Sequence, residues 1–230
     1  MSERSIEAAK ERAWQETAAL DAALERGEID EEGWHRAMAA LVVPAYLGAD
    51  NPRAQSGHSG DEVRWKDARG LLLDAIDRDG TFLDVGCASG LLMESVHEWA
   101  AEKGLSIEPY GLDISAELAA LARSRLPPWA DRIVVGNALH WEPARRFDFV
   151  RTGLEYVPRH RRRDLIQHLL HRVVVLGGRL IVGVFNEERE AHCTEELVAS
   201  WGFKISGGTE RPHRDERIAY RAFWLDAPVS

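Results

Sequence analysis

The chain has 230 residues and a formal net charge of −9, with 29 Lys and Arg against 38 Asp and Glu. That length accommodates one domain with a full core and an addition, and the 45% hydrophobic content forms no membrane-length run, so a soluble protein is expected. The excess of acid argues against long RNA or DNA, which is held largely by Lys and Arg on phosphates.

Residues 1–50 hold five basic and eleven acidic side chains. Their patterning predicts two helices, Ile6 to Arg26 and Glu31 to Val43, with Gly27 between and acidic faces in solvent. We read residues 1–47 as an N-terminal helical cap. Gly48 to Asp61 follows, rich in Gly, Pro, Ser and Asn, and reads as a long loop. A plain linker has no need of Gln55, His58 or the Arg64–Trp65 pair, so residues 48–66 are read as a lid over a site, with His58 a candidate to touch a nucleophile. The core is expected over 67–230.

Thr81 to Gly90 is a short apolar strand ending in Asp84, then a turn bounded by Gly86 and Gly90. Leu91, Leu92, Val96 and Trp99 recur at helical spacing behind it. A strand, a tight glycine loop and a helix N-terminus turn backbone N–H groups toward a ligand, most often a nucleotide-like cofactor. The dinucleotide fingerprint does not fit, because Ala88 and Leu91 stand where its second and third glycines belong. The phosphate loop of nucleotide hydrolases lacks its Gly-Lys-Ser/Thr here. A second strand, Ile107 to Asp113, ends in an acid 29 positions after Asp84. Such a carboxylate can take both ribose hydroxyls of a nucleoside; Asp113 or Ser115 can also cap the helix Ala116 to Arg125.

Leu126-Pro127-Pro128 ends that helix. Arg132 to Ala138 is read as a third strand and Phe147 to Val150 as a fourth, followed by Arg151 to Pro158. Arg159 to Arg163 is the basic run, read as a solvated helix start. Cations at a helix N-terminus oppose the macrodipole by about 0.3–1 kcal/mol each, which hints at an acidic substrate or a phosphate. A helix Arg161 to Val174, a turn Leu176 to Gly178, a strand Arg179 to Phe185 and a helix Thr194 to Ser200 come next. Gly202 to Ile205 and Ile218 to Leu225 are read as a closing antiparallel pair. Alternating strands and helices give a doubly wound α/β sheet. His168 and His171 lack a third ligand, so no metal is expected. Cys87 and Cys193 make no disulfide framework and no charged-then-apolar leader opens the chain, which points to the cytoplasm.

Asp84-Val85-Gly86-Cys87-Ala88-Ser89-Gly90, followed in order by the later elements, resembles motif I of the class I methyltransferases that use S-adenosylmethionine; the resemblance runs from Arg69 to Ala227. It implies a Rossmann-like sheet, mostly parallel with a C-terminal antiparallel hairpin, and S-adenosylmethionine as cofactor. It implies cofactor contacts from Asp84, Gly86, Cys87, Ala88, Gly90, Asp113 and Ile114. Asn137 stands where the family often has an acid on the adenine amine, and its carbonyl can still accept. Ala138 would meet the ring edge, and Arg151 the methionine half. Tyr156 replaces the histidine of the family's Leu-Glu-His-Val-Pro, and the Asn/Asp-Pro-Pro-Tyr of nucleobase amino-methylating enzymes is absent.

The function this implies is methyl transfer to an O or N of a small molecule, an acidic one included, in natural-product metabolism. Alternatives are a tRNA or rRNA nucleoside methyltransferase and a non-catalytic S-adenosylmethionine-binding subunit. The chain could pair as a homodimer. A sulfonium carbon is already electrophilic, so alignment carries the reaction, and positioning can supply about 7–11 kcal/mol. His58, Tyr156 and His160 are the candidate catalytic residues.

Overall fold

The computed structural model describes residues 15–184, 194–213 and 219–229. Seven strands, β1 (Gly80–Val85), β2 (Ile107–Asp113), β3 (Ile133–Val135), β4 (Phe147–Thr152), β5 (Val174–Val184), β6 (Gly207–Pro212) and β7 (Ala219–Asp226), form one sheet. Their order is β3-β2-β1-β4-β5-β7-β6, parallel through β5 and antiparallel across β5-β7-β6. This is the mostly parallel, Rossmann-like sheet with an antiparallel end that the motif order predicts.

Both faces of the sheet are covered, so its central strands are apolar on both sides. Phe82, Phe149 and Ile181 pack with Trp65 and Ala68 of α3 (Glu62–Arg69), with Leu71 and Leu72, and with Leu92, Val96 and Trp99 of α4 (Leu91–Glu102). On the other face Leu83, Val150 and Val182 meet Leu165 and Ile166 of α6 (Arg162–His168) and Val198 of α7 (Thr194–Ser200). Ser115 caps α5 (Ala116–Arg125) by accepting from the Leu118 N–H at 3.1 Å, which leaves Asp113 for another task.

Several boundaries differ from the sequence reading, three of them in the C-terminal half. The expected turn at Leu176–Gly178 lies inside β5: Val174 pairs with Phe147 and Arg179 with Phe149, so the intervening residues bulge around Gly177 at φ 70°. The helix before it ends at His168 in a π-turn, Leu169–Val173. The hairpin partner of β7 is Gly207–Pro212, not Gly202–Ile205; Trp201 and Gly202 still close the turn after α7, and the alternation of partly buried and exposed residues runs unbroken from 201 to 212, so the local pattern does not mark which residues pair.

At the N-terminal end, residues 15–25 are helical (α1) and α2 spans Glu31–Leu47, its start capped by Asp30, which accepts from the Gly33 N–H at 2.7 Å. The expected helix start at Ile6 lies outside the described residues. The long loop after α2 is folded against the core: Ala54–Ser56 make a 3₁₀ turn, and α3 crosses the expected boundary at residue 66.

Candidate functional site

The carboxyl ends of β1, β2, β3 and β4 and the face of α2 enclose a cavity of about 450 Å³. At its floor the β1–α4 turn alternates left-handed residues, Gly86 at φ 75°, Ala88 at φ 47° and Gly90 at φ 74°. Gly86 is the position where a side chain cannot fit, since a Cβ would stand 2.8 Å from the Tyr156 ring. Gly90 is outside the lining; a Cβ there would meet Leu126 at 2.7 Å, so its role is to let α4 and α5 pack.

Asp113 lies on the cavity wall and is 5% exposed. One carboxylate oxygen accepts from the Ala88 N–H at 2.8 Å and the other from the Ser115 N–H at 2.9 Å. Burial raises its pKa and these backbone donors pull it down. Two oxygens fixed by backbone groups keep further lone pairs directed at a ligand. Ile114 beside it lines the cavity while staying 45% exposed, an apolar surface with no protein cover. Asn137 and Ala138 line the same end, and the Asn137 carbonyl already accepts from the Leu139 N–H at 3.0 Å. Trp141 is turned away and stacks on Phe147.

Beyond β4 the walls are charged. Arg151, 4% exposed, donates to Asp84 at 3.2 Å and to the Tyr156 hydroxyl at 2.8 Å. Burial lifts Asp84 to about 6 although Arg151 pulls against it. Arg69 sits over Trp65, 5.1 Å from the ring centroid, and burial followed by the nearby Arg151 lowers it to about 9. Burial also pushes the Tyr156 phenol well above its usual range, so that hydroxyl stays protonated. Cys87 is 2% exposed and its thiol is raised by burial, which makes it packing and not a nucleophile.

His58 lines the cavity at 8% exposure, edge-on to Trp65. Its loop is pinned: Ser56 shares a 2.7 Å hydrogen bond with Ser89 of the glycine turn, and Ser89 donates to the Pro52 carbonyl at 3.0 Å. Trp65 donates to Ser95 at 2.9 Å. His160 is not part of the lining. It meets Glu31 of α2 at 3.1 Å on the outside. Two arginines of the run do the same work, Arg161 on Glu31 at 2.5 Å and Arg159 on Asp21 at 3.2 Å. The cationic helix start thus answers the acidic cap. His168 and His171 bond backbone carbonyls, and among the described residues no cluster of His, Cys, Asp or Glu is placed to hold a metal.

The lining residues that had no part in the sequence reading of the site include His35, Tyr46, Arg69, Glu155 and Tyr220. Tyr220 and Arg64 are joined at 3.0 Å. The His35 Nε2 atom is buried without a hydrogen-bond partner among the described residues. Its place on α2 was legible as a period, since His35, Met38, Ala39, Val42, Val43 and Tyr46 recur on one helical face.

A family model described as a methyltransferase domain matches residues 82–178, the span from β1 into β5. No curated protein matches the chain in sequence. Among solved structures the chain resembles the 1,6-didemethyltoxoflavin-N1-methyltransferase of Burkholderia thailandensis, with bound 1,6-didemethyltoxoflavin and S-adenosylhomocysteine: TM-score 0.63, 16% identity, 87% of this chain on 91% of that one. It resembles the N-methyltransferase NodS of Bradyrhizobium japonicum in complex with S-adenosylhomocysteine at TM-score 0.60, 15% identity, 82% on 97%. The [4+2]-cyclase SpnF also matches, at TM-score 0.57 and 16% identity, 84% on 93%.

Proposed function

We propose that this chain, a class I methyltransferase that uses S-adenosylmethionine, methylates an oxygen or nitrogen of a small molecule taken into the cavity between the strand ends and α2. One observation carries the small-molecule reading. In the basic run, Arg159 pairs with Asp21, His160 with Glu31, and Arg161 with Glu31 and Asp164, so these three cationic positions are turned to the protein's own acids and not left as a track for a polyanion. For the same reason it gives no separate support to an acidic acceptor. The neighbour crystallised with bound 1,6-didemethyltoxoflavin supports a small molecule as the kind of acceptor.

The residues fit the cofactor. The buried Asp113 carboxylate would take the ribose hydroxyls, and Gly86, Cys87 and Ala88 would bring backbone close because Gly86 has no room for a side chain. Ile114, Asn137 and Ala138 would hold the adenine, while Arg69 and Arg151, with Asp84, would face the methionine end. Bound there, the cofactor supplies an electrophilic methyl group. The chain orients the acceptor and excludes water, for which the pinned loop and α2 are the walls. The acceptor end is bounded by His58, Arg64, Glu155 and Tyr220. A proton leaving the acceptor would go to His58 or Glu155. Tyr156, held protonated, orients Arg151 instead, and His160 contributes from outside by holding α2.

Calorimetric titration with S-adenosylmethionine and S-adenosylhomocysteine, with NAD as control, tests the cofactor assignment. Asp113→Ala should weaken binding at least tenfold, about 1.4 kcal/mol; unchanged affinity in a folded variant would sink it. Transfer of labelled methyl to a small-molecule panel but not to bulk tRNA or rRNA is the expected result for the acceptor, and label in RNA would reverse that choice.

A further inference from the structure

We propose that His35 of α2 hydrogen-bonds the adenine edge of the bound cofactor, which makes the cap helix a wall of the cofactor site. The inference rests on the cofactor reading above and adds a residue to it. The lining stripe of α2 runs from His35 through Met38, Ala39, Val42 and Val43 to Tyr46, and its two ends face different surroundings. Tyr46 feels Glu155, Arg69, Asp113 and Arg151, the groups at the ribose and methionine end. His35 feels Glu31 of its own helix, His140 of the turn after β3, and Arg161 before α6. Both ends of the stripe line the cavity, and the His35 end lies within electrostatic reach of His140, close in sequence to the lining residues Asn137 and Ala138 where the nucleobase is assigned.

That end needs another polar partner. Adenine presents an amine donor beside a ring-nitrogen acceptor on one edge. The Asn137 carbonyl has one lone pair committed to the Leu139 N–H. His35 Nε2 is buried in the lining with no hydrogen-bond partner among the described residues, and native proteins seldom retain such an atom without a ligand or water to meet it. Burial, helped by His140 and Arg161 and opposed by Glu31, holds the ring below the usual histidine range and so neutral at pH 7. A neutral ring offers one donor and one acceptor, and an edge with both can meet either tautomer at Nε2.

The test is calorimetric titration of the full chain with S-adenosylhomocysteine, comparing the unmodified protein with His35→Phe, which keeps the ring volume, and His35→Gln, which keeps a polar end. The expected result is a loss of affinity of at least tenfold for His35→Phe and of no more than about threefold for His35→Gln, with unchanged melting of the ligand-free protein. Affinity for His35→Phe within twofold of the unmodified protein overturns the inference, and so does a defect confined to acceptor turnover. If His35→Phe does not fold, the ring-nitrogen NMR signals of His35 in the unmodified protein decide: a shift of Nε2 on titration is expected, and no shift overturns it. Failure of the unmodified protein to bind S-adenosylhomocysteine would instead bring down the cofactor reading, and this inference with it.

Discussion

Ala88 occupies a left-handed backbone conformation, φ 47°, that an L side chain adopts at a cost of about 1–2 kcal/mol. The turn accepts this because the Ala88 N–H is needed at the Asp113 carboxylate. Ala88→Gly should therefore raise the stability of the ligand-free protein by about 0.5–1 kcal/mol, after the entropy that glycine loses on folding, seen as a higher urea midpoint. Asp84→Asn should act in the opposite direction. It leaves Arg151 buried beside a neutral amide, and loss of one partner from a buried pair costs about 3 kcal/mol. A variant as stable as the unmodified protein would mean that the other partners of the guanidinium, the Tyr156 hydroxyl and the Glu155 charge among them, are enough to hold it. At this scale the motif residues were readable, because Asp84, Gly86 and Asp113 owe their positions to local strand-turn-helix chemistry. His35 and Arg69 were not, because nothing local reveals which distant surface a helical face will meet.

Among the elements, α2 is joined to the core by opposed charge as well as by packing. Glu31 receives both His160 and Arg161, and Asp21 receives Arg159 together with the indole N–H of buried Trp34 at 2.9 Å. Arg161 lowers the Glu31 pKa, so this contact is present above the ordinary carboxylate range and is lost as pH falls through the lowered value. In a double-mutant cycle, Glu31→Gln and Arg161→Gln should each cost under about 1 kcal/mol, with a coupling of the same size that shrinks in high salt. No coupling would assign the docking of α2 to its apolar stripe alone. The sequence showed an acidic segment and a basic run but not that they meet, since the pairs are separated by more than a hundred residues. The same holds for β6: local propensity placed a strand at 202–205, and long-range pairing with β7 moved it to 207–212.

For the whole molecule, the sheet and its motif-bearing turns were legible from the alternation of strands and helices, while the walls that complete the cavity were not. Its upper wall comes from α2 and from the loop pinned through Ser56 and Ser89, and neither carries a signal of its own target. Deleting residues 1–47 removes the face that includes His35, Met38 and Tyr46. The truncated, folded chain should bind S-adenosylhomocysteine at least tenfold more weakly; affinity within twofold of the full chain would mean that the cap serves the acceptor only.

The ion pairs at Glu31 and Asp21 also bear on time. A motion of the cap away from the cavity separates Arg161 from Glu31 of α2 and Arg159 from Asp21 of α1, which is itself bonded to Trp34 of α2. Raising the ionic strength should therefore shorten the residence time of the spent cofactor more than it changes the rate of capture. Under the proposed methyl transfer, and where product release limits turnover, the rate would rise in moderate salt until the acceptor site itself begins to leak.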